Sequence, residues 1–275
     1  MKKAISISFA IFIGIGLLSF KSGKEQPLDT CKCFEQKFAL VPAGSVVIDG
    51  HETEVEGFYI SKTEIANYQY NRFVQEVAAS GNEELLKKIR PSGSQWEAVC
   101  CNKPLVISYI NSPDYSLHPA VNISYEGAVE YCKWLTAKAN KEAKNGLMYE
   151  CRLPSRAEWI RAAEGKLHRV AYAWGGPNIR NNQGCVLCQY NHSAAPKAVF
   201  DQNSYTVPTQ SFAPNSIGLY NMNGNVAEMI TERGIAVGGS WASADSEVNN
   251  QSKTTYEQPS PMIGFRPVVL IKKSN

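Results

Sequence analysis

GLYNMNGNVAE (Gly218 to Glu228), read with VGGSW (Val237 to Trp241) and GFR (Gly264 to Arg266), decides how this chain is built. Gly and Asn crowd the first segment, and these residues serve where the backbone turns or takes positive φ. It therefore reads as a shaped loop and not as a regular helix or a buried strand. Asn221 and Glu228 bracket Gly224 and Val226. Two hard oxygen donors with glycine-turned carbonyls between them are the donor types that calcium takes. The same residues also read as a glycine-rich turn whose Asn and Glu satisfy backbone donors.

Working outward, residues 34 to 62 alternate and carry Pro42, Gly44, Gly50 and Gly57, which predicts short strands joined by turns. Thr63 then reads as a helix N-cap with Glu64 in the first turn. Ala66, Tyr70, Phe73, Val74 and Val77 give that helix an apolar stripe, and Asn67, Asn71 and Gln75 fall on its solvent face. Residues 80 to 116, with Pro91, Gly93, Pro104 and Pro113, read as an irregular excursion holding a short helix near Glu83 to Ile89. Ser124 caps a second long helix with Ala128, Cys132, Leu135 and Ala139 on one face. Ser155 and Glu158 form an S-x-x-E capping box that opens a third, with Trp159 and Ala163 inside. Arg152 and Arg156 beside it read as ion-pair donors or as anion ligands.

These motifs, in order, carry a resemblance. FALVPAG (Phe38 to Gly44), FYISKTEIANYQY (Phe58 to Tyr70), HPAVNISYEGAVEYCKW (His118 to Trp134), RLPSRAEWIRAA (Arg152 to Ala163), the Gly218 loop, GGSW and GFR resemble the formylglycine-generating enzyme, or sulfatase-modifying-factor, domain family. The resemblance implies an α+β fold of formylglycine-generating-enzyme type, related to C-type-lectin-like folds, with low regular secondary structure, short antiparallel strands and a few helices. It implies structural Ca2+ on the side chains of Asn221 and Glu228 and the carbonyls of Gly224 and Val226. A second calcium position would fall on Asn191, the His192 carbonyl, Asn203 and the Tyr205 carbonyl. The family's usual aspartate is Asn203 here, which weakens that site. AYAWGGPNIRNNQGC (Ala171 to Cys185) resembles a narrower branch, the ring-forming lipoprotein of the gliding-motility and type IX secretion machinery. That branch implies envelope proteins as partners and peripheral membrane association.

The remaining features bound the function. Met1 to Phe20 opens with Lys2 and Lys3 and is apolar from Ala4 to Leu18, too short for an ordinary span. Residues 1 to 22 therefore read as a signal peptide or signal anchor of an exported chain, periplasmic or associated with the outer membrane. Residues 23 to 37 follow as a linker and 38 to 272 as one domain. Twenty-eight basic and 25 acidic residues are mixed throughout with no basic stripe, so nucleic acid is excluded as a partner. The eight Cys of an exported chain read first as disulfides; Cys185 and Cys188 form a CxxC that is a redox pair, half a zinc site or a local disulfide. Four scattered His give no metal cluster pattern.

In catalytic members of the family two cysteines follow GGSW, five residues apart, bind copper and oxidise a substrate cysteine with oxygen. The matching positions here are Ser243 and Val248, and no Cys follows Cys188. A hydroxyl and an isopropyl group cannot replace two soft thiolates for Cu(I), so no copper is expected. Two readings remain. One is a non-catalytic envelope structural or interaction module, accessory to gliding motility or type IX secretion. The other is a periplasmic ligand-binding domain, or an enzyme of the family with altered chemistry.

Overall fold

The computed structural model describes residues 36–92, 109–143, 146–191 and 205–273. Four strands come first: β1 (Phe38–Val41), β2 (Gly44–Ile48), β3 (His51–Val55) and β4 (Phe58–Ser61). Helices α1 (Asn67–Ala79), α2 (Glu83–Ile89) and α3 (Tyr125–Glu142) follow, then β5 (Leu147–Arg152) and α4 (Arg156–Glu164). Five short strands complete the fold: β6 (Ala227–Met229), β7 (Ile235–Val237), β8 (Lys253–Thr255), β9 (Ile263–Gly264) and β10 (Val268–Lys273).

The main sheet has the order β1-β4-β10-β5 and is antiparallel throughout. Every residue of β4 is buried, because this inner strand is covered on both faces. Phe58, Ile60 and Val268 face a core built around Trp159, whereas Tyr59, Tyr149 and Val269 face the opposite cluster. The first and last strands, β1 and β10, thus flank β4 on its two sides. β2 and β3 form a hairpin closed by Asp49 and Gly50, both at positive φ (50° and 86°), the two-residue turn whose twist suits paired strands. The third sheet runs β8-β7-β6-β9, with β6 and β9 parallel.

The helices follow their local signals. Ser124 Oγ accepts the Gly127 amide at the start of α3, and Ser155 with Glu158 closes the capping box of α4. Asn82 Oδ1 accepts the Leu85 amide and caps α2. Tyr70, Phe73, Tyr131 and Phe265 pack ring against ring between α1, α3 and the GFR segment.

The start of α1 corrects the sequence reading. Its cap is Ala66, whose amide is held by Gln69 Oε1 at 2.9 Å, and not Thr63. Residues 64 to 66 are extended because the Ile65 amide donates to the Phe265 carbonyl and the Ile65 carbonyl accepts from Ala120. Glu64 is thereby turned into the interior. The face assigned to solvent holds at Gln75, which is exposed, and is corrected at Asn67, which is fully buried with its Nδ2 donating to the Tyr109 and Tyr115 carbonyls at 3.3 and 2.9 Å. Asn71 Nδ2 donates to the Ile110 carbonyl, so this face docks residues 109–115. Arg152 and Arg156 are ion-pair donors, to Glu158 and Asp49.

Among the described residues no helix is long and apolar enough to cross a membrane. Cys132, Cys151, Cys185 and Cys188 are free thiols. Between Cys185 and Cys188, Val186 forms a bridge with Arg180 and the Leu187 amide donates to the Ile179 carbonyl, with Cys185 exposed and Cys188 buried. Met1 to Phe20, Cys31, Cys33, Cys100 and Cys101 lie outside the described residues.

Candidate functional site

Beneath the Gly218 to Glu228 loop lies a fully buried charged hub. Glu64 arrives from the end of β4, Glu228 from β6 and Arg266 from the segment before β10. Arg266 Nη2 meets Glu228 Oε1 at 2.6 Å, and its Nε meets both Glu228 oxygens at 2.9 and 2.8 Å. Glu228 Oε2 also accepts the Trp159 indole N–H at 2.7 Å. The rest of the guanidinium donates to three carbonyls, Ser61 and Lys62 at 3.2 and 3.1 Å and Tyr220 at 2.7 Å. Glu64 lies farther out, 4.0 Å from Nη2, and accepts Asn225 Nδ2 at 2.8 Å and Asn221 Nδ2 at 3.3 Å.

One guanidinium cannot neutralise two buried carboxylates. Burial, chiefly, and the charge on Glu228 push the Glu64 carboxyl up to about 8 against the opposing pull of Arg266. Burial alone would lower the Arg266 pKa, but Glu228 and Glu64 outweigh it and the guanidinium stays charged. The hub thus pairs Arg266 tightly with Glu228 and favours the protonated form of Glu64 beside them.

The loop is shaped to cover this hub. Asn221 and Asn225 sit at left-handed φ of 50° and 62°, a region Asn tolerates better than most residues. Asn225 Oδ1 accepts the Val207 amide and its carbonyl accepts the Trp241 amide, both at 2.8–2.9 Å. Asn223 Oδ1 accepts the Ala173 amide, and its Nδ2 donates to Asn250. Gly238, at φ 87°, is required by space as well: a Cβ there would sit 2.7 Å from the Met222 carbonyl oxygen and 2.8 Å from the Trp159 ring. Gly238→Ala is expected to destabilise the domain by about 1–3 kcal/mol from backbone strain alone, with the clash added, as read by denaturant unfolding.

Ser243 and Val248 follow GGSW in the chain. Ser243 Oγ accepts the Ser240 amide at 3.1 Å and lies 3.3 Å from Ser240 Oγ, and its carbonyl accepts the Asn191 amide. Val248 is fully buried in an apolar cluster with Cys188 and Tyr190, with Trp174 packed against it. Trp241 stands edge-on to Tyr205, 4.9 Å between ring centres, and donates its indole N–H to the Pro261 carbonyl. Nearby, Thr206 Oγ1 bridges Tyr109 OH and His118 Nδ1, each at 2.9 Å.

A model of the sulfatase-modifying factor enzyme 1-like domain matches residues 24–271. The chain belongs to this family. It is 33% identical over 149 residues to a formylglycine-generating enzyme of Thermomonospora curvata, a match covering 54% of this chain and 41% of that protein. It is 30% identical over 167 residues to bovine inactive C-alpha-formylglycine-generating enzyme 2, covering 54% of this chain and 49% of that one. The chain thus spans about half or less of the length of these relatives. Among solved structures, CarF superposes with a TM-score of 0.57 at 23% identity over 84% of this chain and 97% of that one, a likeness of fold.

In this sulfatase-modifying-factor domain the four loop residues expected at calcium are Asn221, Gly224, Val226 and Glu228. Asn221 Oδ1 is buried with no partner among the described residues, which fits a cation. Glu228 does not fit through its side chain, because three N–H groups of Arg266 and Trp159 already engage both carboxylate oxygens. A calcium ion here would rest on Asn221 and loop carbonyls. Of the second set, Asn191 gives its amide to Ser243, and the Tyr205 carbonyl accepts Gln189 Nε2 at 3.2 Å. His192 and Asn203 lie outside the described residues. Sequence reasoning placed Glu64 in a helical first turn and Arg266 in the GFR motif but missed their meeting; an acid two residues before the α1 cap and an arginine inside a motif carry no local sign of pairing.

Proposed function

We propose that this chain is a non-catalytic envelope structural or interaction module of the sulfatase-modifying-factor family, accessory to gliding motility or type IX protein secretion. One observation carries the non-catalytic part: the two thiolate positions after GGSW are a serine bonded to its neighbour and a valine sealed in an apolar cluster. Neither side chain has a donor that Cu(I) prefers. The bovine relative named as inactive supports the view that the fold is kept without the chemistry. Incubated in air with Cu(I) and a cysteine-containing peptide, the protein is expected to leave the peptide thiol unchanged. Formation of an oxidised peptide product would overturn this reading in favour of the enzymatic alternative.

The envelope placement rests on the signal-like Met1 to Phe20 and on the Ala171 to Cys185 stretch. In that stretch Trp174 stacks on Tyr172 at 4.7 Å, and Asn181 Oδ1 folds the following turn by accepting the Gln183 and Cys185 amides. The turn stands exposed, as an interaction surface requires. Crosslinking the tagged protein in intact cells is expected to join it to secretion or gliding components. Recovery as a lone periplasmic protein would move the weight to ligand binding.

Calcium on Asn221 and the loop carbonyls is part of the same proposal, as a clamp on the loop. Adding Ca2+ is expected to raise Tm in the measure of RT ln(1 + [L]/Kd) and to leave Asn221→Gly unmoved, since glycine keeps the positive φ and loses only the amide. Equal Tm of the unaltered protein with and without calcium would remove the clamp.

A further inference from the structure

The hairpin of β2 and β3 and the end of α4 enclose a cavity of about 200 Å3, lined in part by Ser45, Glu52, Glu164, His168 and Arg169. Glu164, the last residue of α4, is only 2% exposed. Its Oε1 accepts the Arg169 amide at 3.0 Å. No bond among the described residues reaches its Oε2, and that oxygen is not sealed from solvent, so the cavity is its outlet. Burial raises the Glu164 pKa, opposed by the Arg169 amide bond and by the more distant charges of His168, Arg161 and Arg169.

The other polar groups complete an acceptor set. Ser45 donates its hydroxyl proton to Glu52 Oε1 at 2.6 Å, which leaves the Ser45 lone pairs free to accept. Arg169 Nη2 holds Glu52 only loosely, at 3.9 Å. Glu52, Glu164 and Arg169 line the cavity and Arg161 acts on Glu164 from outside the lining, so the charges about balance and the unbonded Glu164 Oε2 is what calls for a donor. Among the described residues no group of three His, Cys, Asp or Glu is placed to hold a metal ion. An ammonium group, with three N–H donors and one positive charge, matches three acceptors of which one is a buried, half-satisfied carboxylate. The volume lies below that of ordinary small-molecule sites and suits an ammonium on a short alkyl stem.

We propose that this cavity binds the ammonium group of a primary alkylamine, with Glu164 Oε2 as the charged acceptor and Ser45 Oγ and Glu52 as its companions. The inference stands apart from the envelope role and from the loop over Glu228. Titration calorimetry with 1,4-diaminobutane tests a free amine, and titration with Nα-acetyl-lysine N-methylamide tests a lysine presented by a polypeptide. One-to-one binding in either arm is expected and assigns the source, and Nε-acetylation of the lysine compound is expected to abolish it. Glu164→Gln should weaken binding at least about tenfold, the scale of one lost charge-assisted hydrogen bond. Should that variant fail to fold, Ser45→Ala with Glu52→Gln, on the exposed hairpin, should weaken binding severalfold without lowering Tm. Absence of binding by both amines up to about 10 mM, or an unchanged affinity in the folded variants, overturns the proposal.

Discussion

Arg266→Ala is expected to cost roughly 3–5 kcal/mol, enough to unfold a domain of ordinary marginal stability at physiological temperature. The substitution leaves Glu228 as an uncompensated buried charge and removes donors from the carbonyls of Ser61, Lys62 and Tyr220. Ser61 and Lys62 lie at the end of β4 and Tyr220 belongs to the Asn-rich loop, so Arg266 ties together two segments also joined by the Tyr220 amide to the Lys62 carbonyl. Arg266→Lys is expected to recover little, because one ammonium cannot present the guanidinium fork to a carboxylate and three carbonyls together. Glu228→Gln is expected to cost less than Arg266→Ala, since Glu64 stands 4.0 Å from the guanidinium and can ionise to replace the lost charge. Urea unfolding of the three variants checks the order; an Arg266→Ala protein within 1 kcal/mol of the unaltered one would show that the hub does not hold the fold.

What could be read from sequence divides along the range of the interactions. The bounds of α2, the Ser124 cap and the Ser155 and Glu158 box were legible because each depends on residues three or four apart. The loop character of Gly218 to Glu228 was legible for the same reason, as positive φ is a local demand. Glu64 was misread as a first-turn acid because its partners, Asn225, Glu228 and Arg266, lie more than 150 residues away. Asn67 and Asn71 were misread because a 3.6-residue period marks which face differs, and not what covers that face. Here the cover is the backbone of residues 109–115, whose carbonyls need donors once buried. Ser243 and Val248 were visible as departures from a motif, but only packing shows that Val248 fills its space and leaves no vacant ligand position.

Glu64 gives the hub a signature in pH. Its pKa is raised in the folded protein to about 8 from an ordinary 4.5, so the folded state binds a proton that the unfolded state has released between those values. The stability this supplies is full below pH 4.5 and is lost as pH rises toward 8, at up to about 1.4 kcal/mol per pH unit. Groups such as Glu158, whose burial is outweighed by Arg152 and its capping bonds, have lowered pKa values and act in the opposite sense only in acid, near and below pH 4.5. His118, lowered by burial, adds stability as pH rises toward 6.5 and nothing further above it. The comparison must therefore be with Glu64→Gln, which keeps a neutral polar group against Asn225 and removes only the titration. The unaltered protein is expected to lose stability relative to this variant as pH rises from 5 to 8, by several kcal/mol in urea unfolding at fixed ionic strength. Parallel curves would mean that Glu64 is ionised throughout and that a cation balances it. The orphaned Asn221 oxygen bears on the same choice. Turned over, its amide places Oδ1 about 3.3 Å from Glu64 Oε2, where it can accept the carboxyl proton, at the loss of the long Nδ2 contact of 3.5 Å to the Pro208 carbonyl. A proton on Glu64 and calcium on Asn221 are thus two ways of satisfying one buried oxygen, and the pH curve with and without calcium separates them.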